Sequence, residues 1–102
     1  MKIKLWIDDV RPVPDGYTGC KTVDEAKWRI WFAETSDTDE IILIDIDHDA
    51  GDFAVQGGDY IKLLDWLERT GRSYPIRIHS MNPVGVANMR AIIKKNRWTE
   101  VF

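Results

Sequence analysis

Two periods of hydrophobic patterning run through this chain. Ile3, Leu5 and Ile7 alternate with Lys2, Lys4 and Trp6, which predicts a strand with one face more buried than the other, ending at Asp8-Asp9. The segment VRPVPDG that follows holds two prolines and a glycine and reads as a loop. A short second strand is expected around Tyr17 to Cys20. Thr22 and Glu25 have capping-box spacing, and Val23, Ala26, Ile30 and Ala33 recur at helical intervals beside Trp28, Trp31 and Phe32. That pattern predicts a helix of about three turns.

Acidic and small polar residues from Glu34 to Glu40 precede Ile41-Ile42-Leu43-Ile44, a branched run that suits a central strand covered on both faces. The chain is then polar and Gly-rich from Asp45 to Gly58. Tyr60, Leu63, Leu64 and Leu67 mark a second helix, stopped by Gly71. Pro75 precedes a strand from Ile76 to His79. Asn82-Pro83 reads as an N-cap followed by proline at the first helical position, and Val86, Met89 and Ile93 carry an apolar stripe to about Asn96. The tail RWTEVF is expected to pair as a last strand. Strands alternating with helices imply parallel pairing and right-handed crossovers, hence a small three-layer α/β sandwich spanning 1–102 as a single domain.

In open parallel sheets ligands bind beyond the carboxyl ends of the strands. Three strand ends carry the polar groups here: Asp8-Asp9, the run IDIDHDAG from Ile44 to Gly51, and IHSMNPVG from Ile78 to Gly85. If the first and central strands are neighbours, Asp8, Asp9, Asp47 and Asp49 bring several carboxylates close together. Either some stay protonated or a hard divalent cation offsets their repulsion, and oxygen ligands favour Mg²⁺, Ca²⁺ or Mn²⁺. The cation is the preferred reading. Asp45 would share a strand face with Asp47, but it lies within the apolar run and is the marginal member. Taken singly, each Asp is more often a turn residue; the argument rests on three strand ends together.

His79 and His48 are candidates for acid–base work or metal ligation. The turn between His79 and Pro83 offers N–H groups at a helix N-terminus, with Ser80 and Asn82 to hold oxygens and Arg11 to meet an anion. The stretch from Asp52 to Asp59 around Gln56-Gly57-Gly58 is too irregular for a phosphate loop or a calcium loop.

Composition narrows the setting. In 102 residues, 44% hydrophobic and 30% charged positions argue against disorder, and five Trp supply apolar area to a small core. Trp28, Trp31 and Trp66 are expected at the core and its edges. The net charge of −3 gives no general pull toward nucleic acid or anionic membrane. A single cysteine, Cys20, excludes an intramolecular disulfide, and MKIKLWIDD is neither signal peptide nor membrane span, so a cytoplasmic location is expected.

LWIDDVRP (Leu5 to Pro12), KTVDEA (Lys21 to Ala26), DHDAG (Asp47 to Gly51) and HSMNPVG (His79 to Gly85) together resemble the cyclic-phosphate processing receiver domain, a divergent relative of response-regulator receivers. The resemblance implies a flavodoxin-like fold shortened between its first two strands. It implies that Asp8 and Asp9 hold Mg²⁺, that Asp47 matches the receiver aspartate that accepts phosphate, and that Ser80 falls near the receiver hydroxyl residue. Two departures stand out. The receiver lysine has no match, since only Lys94 and Lys95 precede RWTEVF, and His48, His79 and Asn82 are additions.

The expected activity is metal-dependent hydrolysis of a cyclic phosphate or cyclic nucleotide. Catalysis falls to Asp47, His79 and His48, metal binding to Asp8, Asp9, Asp47 and Asp49, and ligand binding to Arg11, Ser80, Asn82 and Gly85, with Mg²⁺ or Mn²⁺ as cofactor. Asp47 itself is an alternative nucleophile to metal-bound water. Two other functions compete: a signalling module phosphorylated on Asp47, and a sensor that binds a cyclic phosphate without turnover. The expected partner is a small phosphate-containing ligand, with neither duplex nucleic acid nor membrane.

Overall fold

The computed structural model describes residues 1–102. Its elements are β1 (Lys2–Ile7), β2 (Tyr17–Cys20), α1 (Val23–Glu34), β3 (Glu40–Ile46), a short 3₁₀ helix (Gly51–Val55), α2 (Ile61–Arg69), β4 (Ile76–Ile78) and α3 (Pro83–Asn96). The strands form one parallel sheet in the order β2-β1-β3-β4, so β1 and β3 are central neighbours. That is the strand order at the start of a flavodoxin-like sheet.

The local signals act as the sequence implies. Thr22 Oγ1 accepts the Glu25 N–H at 2.9 Å, and the Glu25 carboxylate accepts from Lys21 N at 2.7 Å, one residue earlier than a standard capping box. Asn82 Oδ1 accepts the Gly85 N–H at 3.0 Å, with Pro83 behind it in the first turn. Gly71, at φ +69°, ends the α2 segment in a conformation that favours glycine. Val23, Ala26, Ile30 and Ala33 of α1 and Leu63, Leu64 and Leu67 of α2 are all buried.

Register explains how the layers divide. Leu5 pairs with Ile44 and Ile44 with Ile76, while Ile7 pairs with Ile46. Neighbours in register point the same way, and this face meets the buried sides of α1, α2 and α3 in one apolar cluster. Each step from β2 to β3 to β4 moves in one direction across the sheet, so right-handed crossovers put all three helices on that face. The step from β1 back to β2 runs through residues 8–16 without a helix, which is the shortening expected there. The opposite face is therefore covered thinly. It presents Lys4, Trp6, Tyr17, Leu43, Asp45 and Arg77, with Val13 of the loop packed on Gly19.

Three expectations need correction. The central strand runs to Ile46, because Asp45 is paired in the ladder opposite Trp6 and Arg77, and a register shift beside Ile3 and Lys4 bends its start. The tail forms only a parallel bridge between Ile76 and Glu100, since Ile76 offers a single exchange, with Thr99 O and Val101 N. Trp28, Trp31 and Phe32 are exposed, because the small and branched residues of α1 take its inner face and leave the aromatics outside. The core is built from Leu, Ile, Val, Ala, Met and Tyr60 instead, and none of the five Trp is fully buried. No helix is long and apolar enough to cross a membrane.

Candidate functional site

Parallel neighbours β1 and β3 end at the same edge of the sheet, which carries Asp8, Asp9 and Asp47 to one place. A carboxylate oxygen from each lies within 4.8 Å of the others, a grouping that can hold a metal ion. The three are not equivalent. Asp8 is 2% exposed and accepts four hydrogen bonds: Val10 N at 2.9 Å, Arg11 N at 3.0 Å, Arg11 Nη1 at 3.1 Å and His79 Nε2 at 2.8 Å. Burial pushes its carboxyl up, but the backbone donors of Arg11 and Val10, with the His79 and Arg11 side chains, hold it down at about 2.

Four bonds fill the acceptor capacity of a carboxylate. A cation can join Asp8 only by displacing a donor, and Arg11 is the natural one. Its Nη1 also donates to the His79 carbonyl at 2.8 Å and lies 3.6 Å from Asp47 Oδ2, so the guanidinium neutralises the same oxygens a metal would. Arg11 is 38% exposed, so solvent borders the guanidinium on its outer side. Asp9 is the converse case. Its carboxylate rests against Gly51, at φ +56°, where a Cβ would come within 2.6 Å of Oδ2. Asp47 Oδ1 takes only its neighbour's His48 N–H at 2.7 Å. Asp9 and Asp47 thus have lone pairs to give, and the donor set suits a hard cation.

The two histidines have different surroundings. His79 is stacked flat on Trp6, ring centroids 3.8 Å apart, with Nε2 on Asp8 and Nδ1 on Asp45 Oδ1 at 2.6 Å. Both nitrogens face carboxylate oxygens, which fixes the ring between Asp8 and Asp45. In this arrangement neither nitrogen faces a substrate. His48 is held at one nitrogen: Nδ1 meets Asp49 Oδ1 at 2.8 Å, and Asn82 Nδ2 reaches both Asp49 oxygens at 3.3 and 3.4 Å. The His48 bond, then Asn82, pull the Asp49 carboxyl below its usual range. An Asp49-bound Nδ1–H leaves Nε2 as an acceptor, and this atom makes no bond and is open to solvent.

Asp49 therefore stands outside the group of three carboxylates, its oxygens occupied by His48 and Asn82. Gly85 is a floor for His48, since a Cβ there would lie 2.4 Å from the ring. Ser80 Oγ accepts from Asn82 N at 3.1 Å, and Asn82 Oδ1 takes the Gly85 N–H, so those donors at the start of α3 are not free for an anion. Sequence reasoning undervalued Asp45. It is 1% exposed, orients His79, and accepts from Tyr17 Oη at 3.2 Å. The signal was available, because a charge inside an apolar strand is retained only with partners. Its pairing with Trp6 needed the register. Lys21, not singled out from sequence, places Nζ 3.1 Å from the Asp9 carbonyl.

Comparison with curated proteins and with solved structures gives no match to this chain. The family model of the cyclic-phosphate processing receiver domain matches residues 3–95, nearly the whole length and the span in which the site lies, and the chain belongs to that family.

Proposed function

We propose that this domain binds a cyclic phosphate at the Asp8, Asp9 and Asp47 cluster and opens its ring by hydrolysis, with Mg²⁺ or Mn²⁺ as cofactor. The observation that carries the reading is the convergence of three carboxylates at one sheet edge. Asp8, Asp9 and Asp47 would hold a divalent ion, which would supply positive charge to the phosphate oxygens at the reacting centre. His79, braced by Asp45 and Trp6, fixes the orientation of Asp8. Arg11 leaves the carboxylates and meets the phosphate, where its fork of donors matches the oxygens.

His48 is the acid–base residue in this reading, and Asp49 with Asn82 positions it. Nε2 takes a proton from water as the water oxygen bonds to phosphorus. One ring P–O bond then breaks, and the departing oxygen receives that proton from Nε2. The product is an open phosphomonoester, with one water consumed. The expected cytoplasmic setting suits a divalent-ion enzyme without disulfides.

The test incubates the protein and Mg²⁺ or Mn²⁺ with 3′,5′- and 2′,3′-cyclic nucleotides and a cyclic dinucleotide, beside acetyl phosphate. Asp47→Asn is expected to abolish ion binding and turnover. His48→Ala should lower turnover by about 10²-fold or more while ion binding persists. His79→Ala should weaken ion binding through Asp8. Labelling of Asp47 by acetyl phosphate with no turnover would favour a signalling module, and saturable binding without product a sensor. Failure of the wild type to bind either ion removes the reading.

A further inference from the structure

Beside the acidic cluster, on its β2 side, a cavity of about 430 Å³ opens where the β1–β2 connection crosses without a helix. Asp8 and Arg11 belong both to its wall and to the acidic cluster, so the cavity borders the site. The volume falls in the range of small-molecule sites. Its lining combines flat apolar surface with polar and charged side chains. Phe53 and Trp6 contribute rings, and Trp6 Nε1 is the one buried side-chain polar atom without a hydrogen bond. Gln56 lines the same space with no hydrogen bond from its amide.

The cavity also holds cations. Lys21 Nζ lies 5.7 Å from the Phe53 centroid and has no carboxylate partner, while Arg11 stands at the boundary with the cluster. Cations at the border, with the Phe53 ring and the Gln56 amide in the same lining, fit a ligand with an anionic end and a flat heteroaromatic body. We infer that the cavity seats the nucleoside arm of the substrate, so that the domain selects nucleoside cyclic phosphates over cyclic phosphates lacking a base. The base packs on Phe53 within reach of Gln56, and Lys21 meets the phosphate from the side opposite Asp47. This inference rests on the hydrolytic reading above and narrows its substrate.

The experiment measures kcat/KM, or Kd where there is binding without turnover, for adenosine 2′,3′-cyclic phosphate and for glycerol 1,2-cyclic phosphate, both with Mn²⁺. The wild type is expected to prefer the nucleoside substrate by about tenfold or more, the scale of one base–aromatic stack. Phe53→Ala should bring the ratio close to one, and Gln56→Ala, at an exposed position, should reduce it without risk to folding. Trp31→Ala, on the outer face of α1, should leave it unchanged. A wild type that treats both substrates alike overturns the inference while leaving the hydrolytic reading intact, as does a ratio that survives both cavity substitutions. Absence of binding and turnover with either substrate overturns both.

Discussion

Asp8 sets burial against hydrogen bonding, and the donors win. Its folded carboxyl, at about 2, lies below the ordinary 3.8, so the folded state binds that proton less readily than the unfolded state does. The contribution to stability is complete above the unfolded value and is lost as pH falls from about 4 toward about 2; it amounts to about 2 kcal/mol. Thermal melts from about pH 6 to about pH 2 should therefore show a steeper loss for wild type than for Asp8→Asn, and equal slopes would count against this account. Arg11 gives a second prediction. Because it neutralises the oxygens an ion would use, Arg11→Gln should raise Mg²⁺ affinity by about two- to fivefold in calorimetry with the ion alone. A lower affinity would show that Arg11 does not compete. The acidic trio was legible in sequence because both members of the first pair and Asp47 end adjacent strands. The split between His48 and His79 was not, since it depends on Asp45 and Asp49 contacts that strand register and loop geometry create.

Caps and stops carried most of the element boundaries, because they act within a few residues. Thr22 with Glu25, Asn82 with Pro83, and Gly71 all work locally and are readable without tertiary knowledge. The inner face of α1 was legible too, but its outer face was not. Val23, Ala26, Ile30 and Ala33 already fill the side against the sheet, and an apolar count cannot say which of two apolar faces stays wet. Gly85 shows an element under functional constraint. Alanine there would gain roughly 0.5–1 kcal/mol of helix propensity, yet its Cβ would enter the His48 ring. Gly85→Ala is expected to keep the fold, shift the His48 ring resonances in NMR, and lower turnover by more than any change in melting temperature explains. Unchanged His48 resonances would refute the packing argument.

At the scale of the whole molecule the helices lie on one side of the sheet, and the cavity occupies part of the thinly covered side. The alternation of strands and helices foretold the parallel sheet, but it could not give the distribution of helices over two faces. That follows from strand order together with the short β1–β2 connection. The outer margin of β4 is guarded by little more than the tail. Glu100 bridges to Ile76 and is tied back by Arg90, whose Nη2 lies 2.7 Å from its carboxylate, while Trp98 packs against the core. Without Thr99 to Phe102, the Ile76 N–H and C=O would face outward beside an apolar strand, a template for a second chain. Truncation after Trp98 should thus give concentration-dependent association by light scattering, whereas a truncated chain that stays dispersed would show that three residues of β4 are too few to recruit a neighbour. The four-residue tail is in this sense a gatekeeper against sheet-to-sheet aggregation, a duty separate from the chemistry at the other end of the strands.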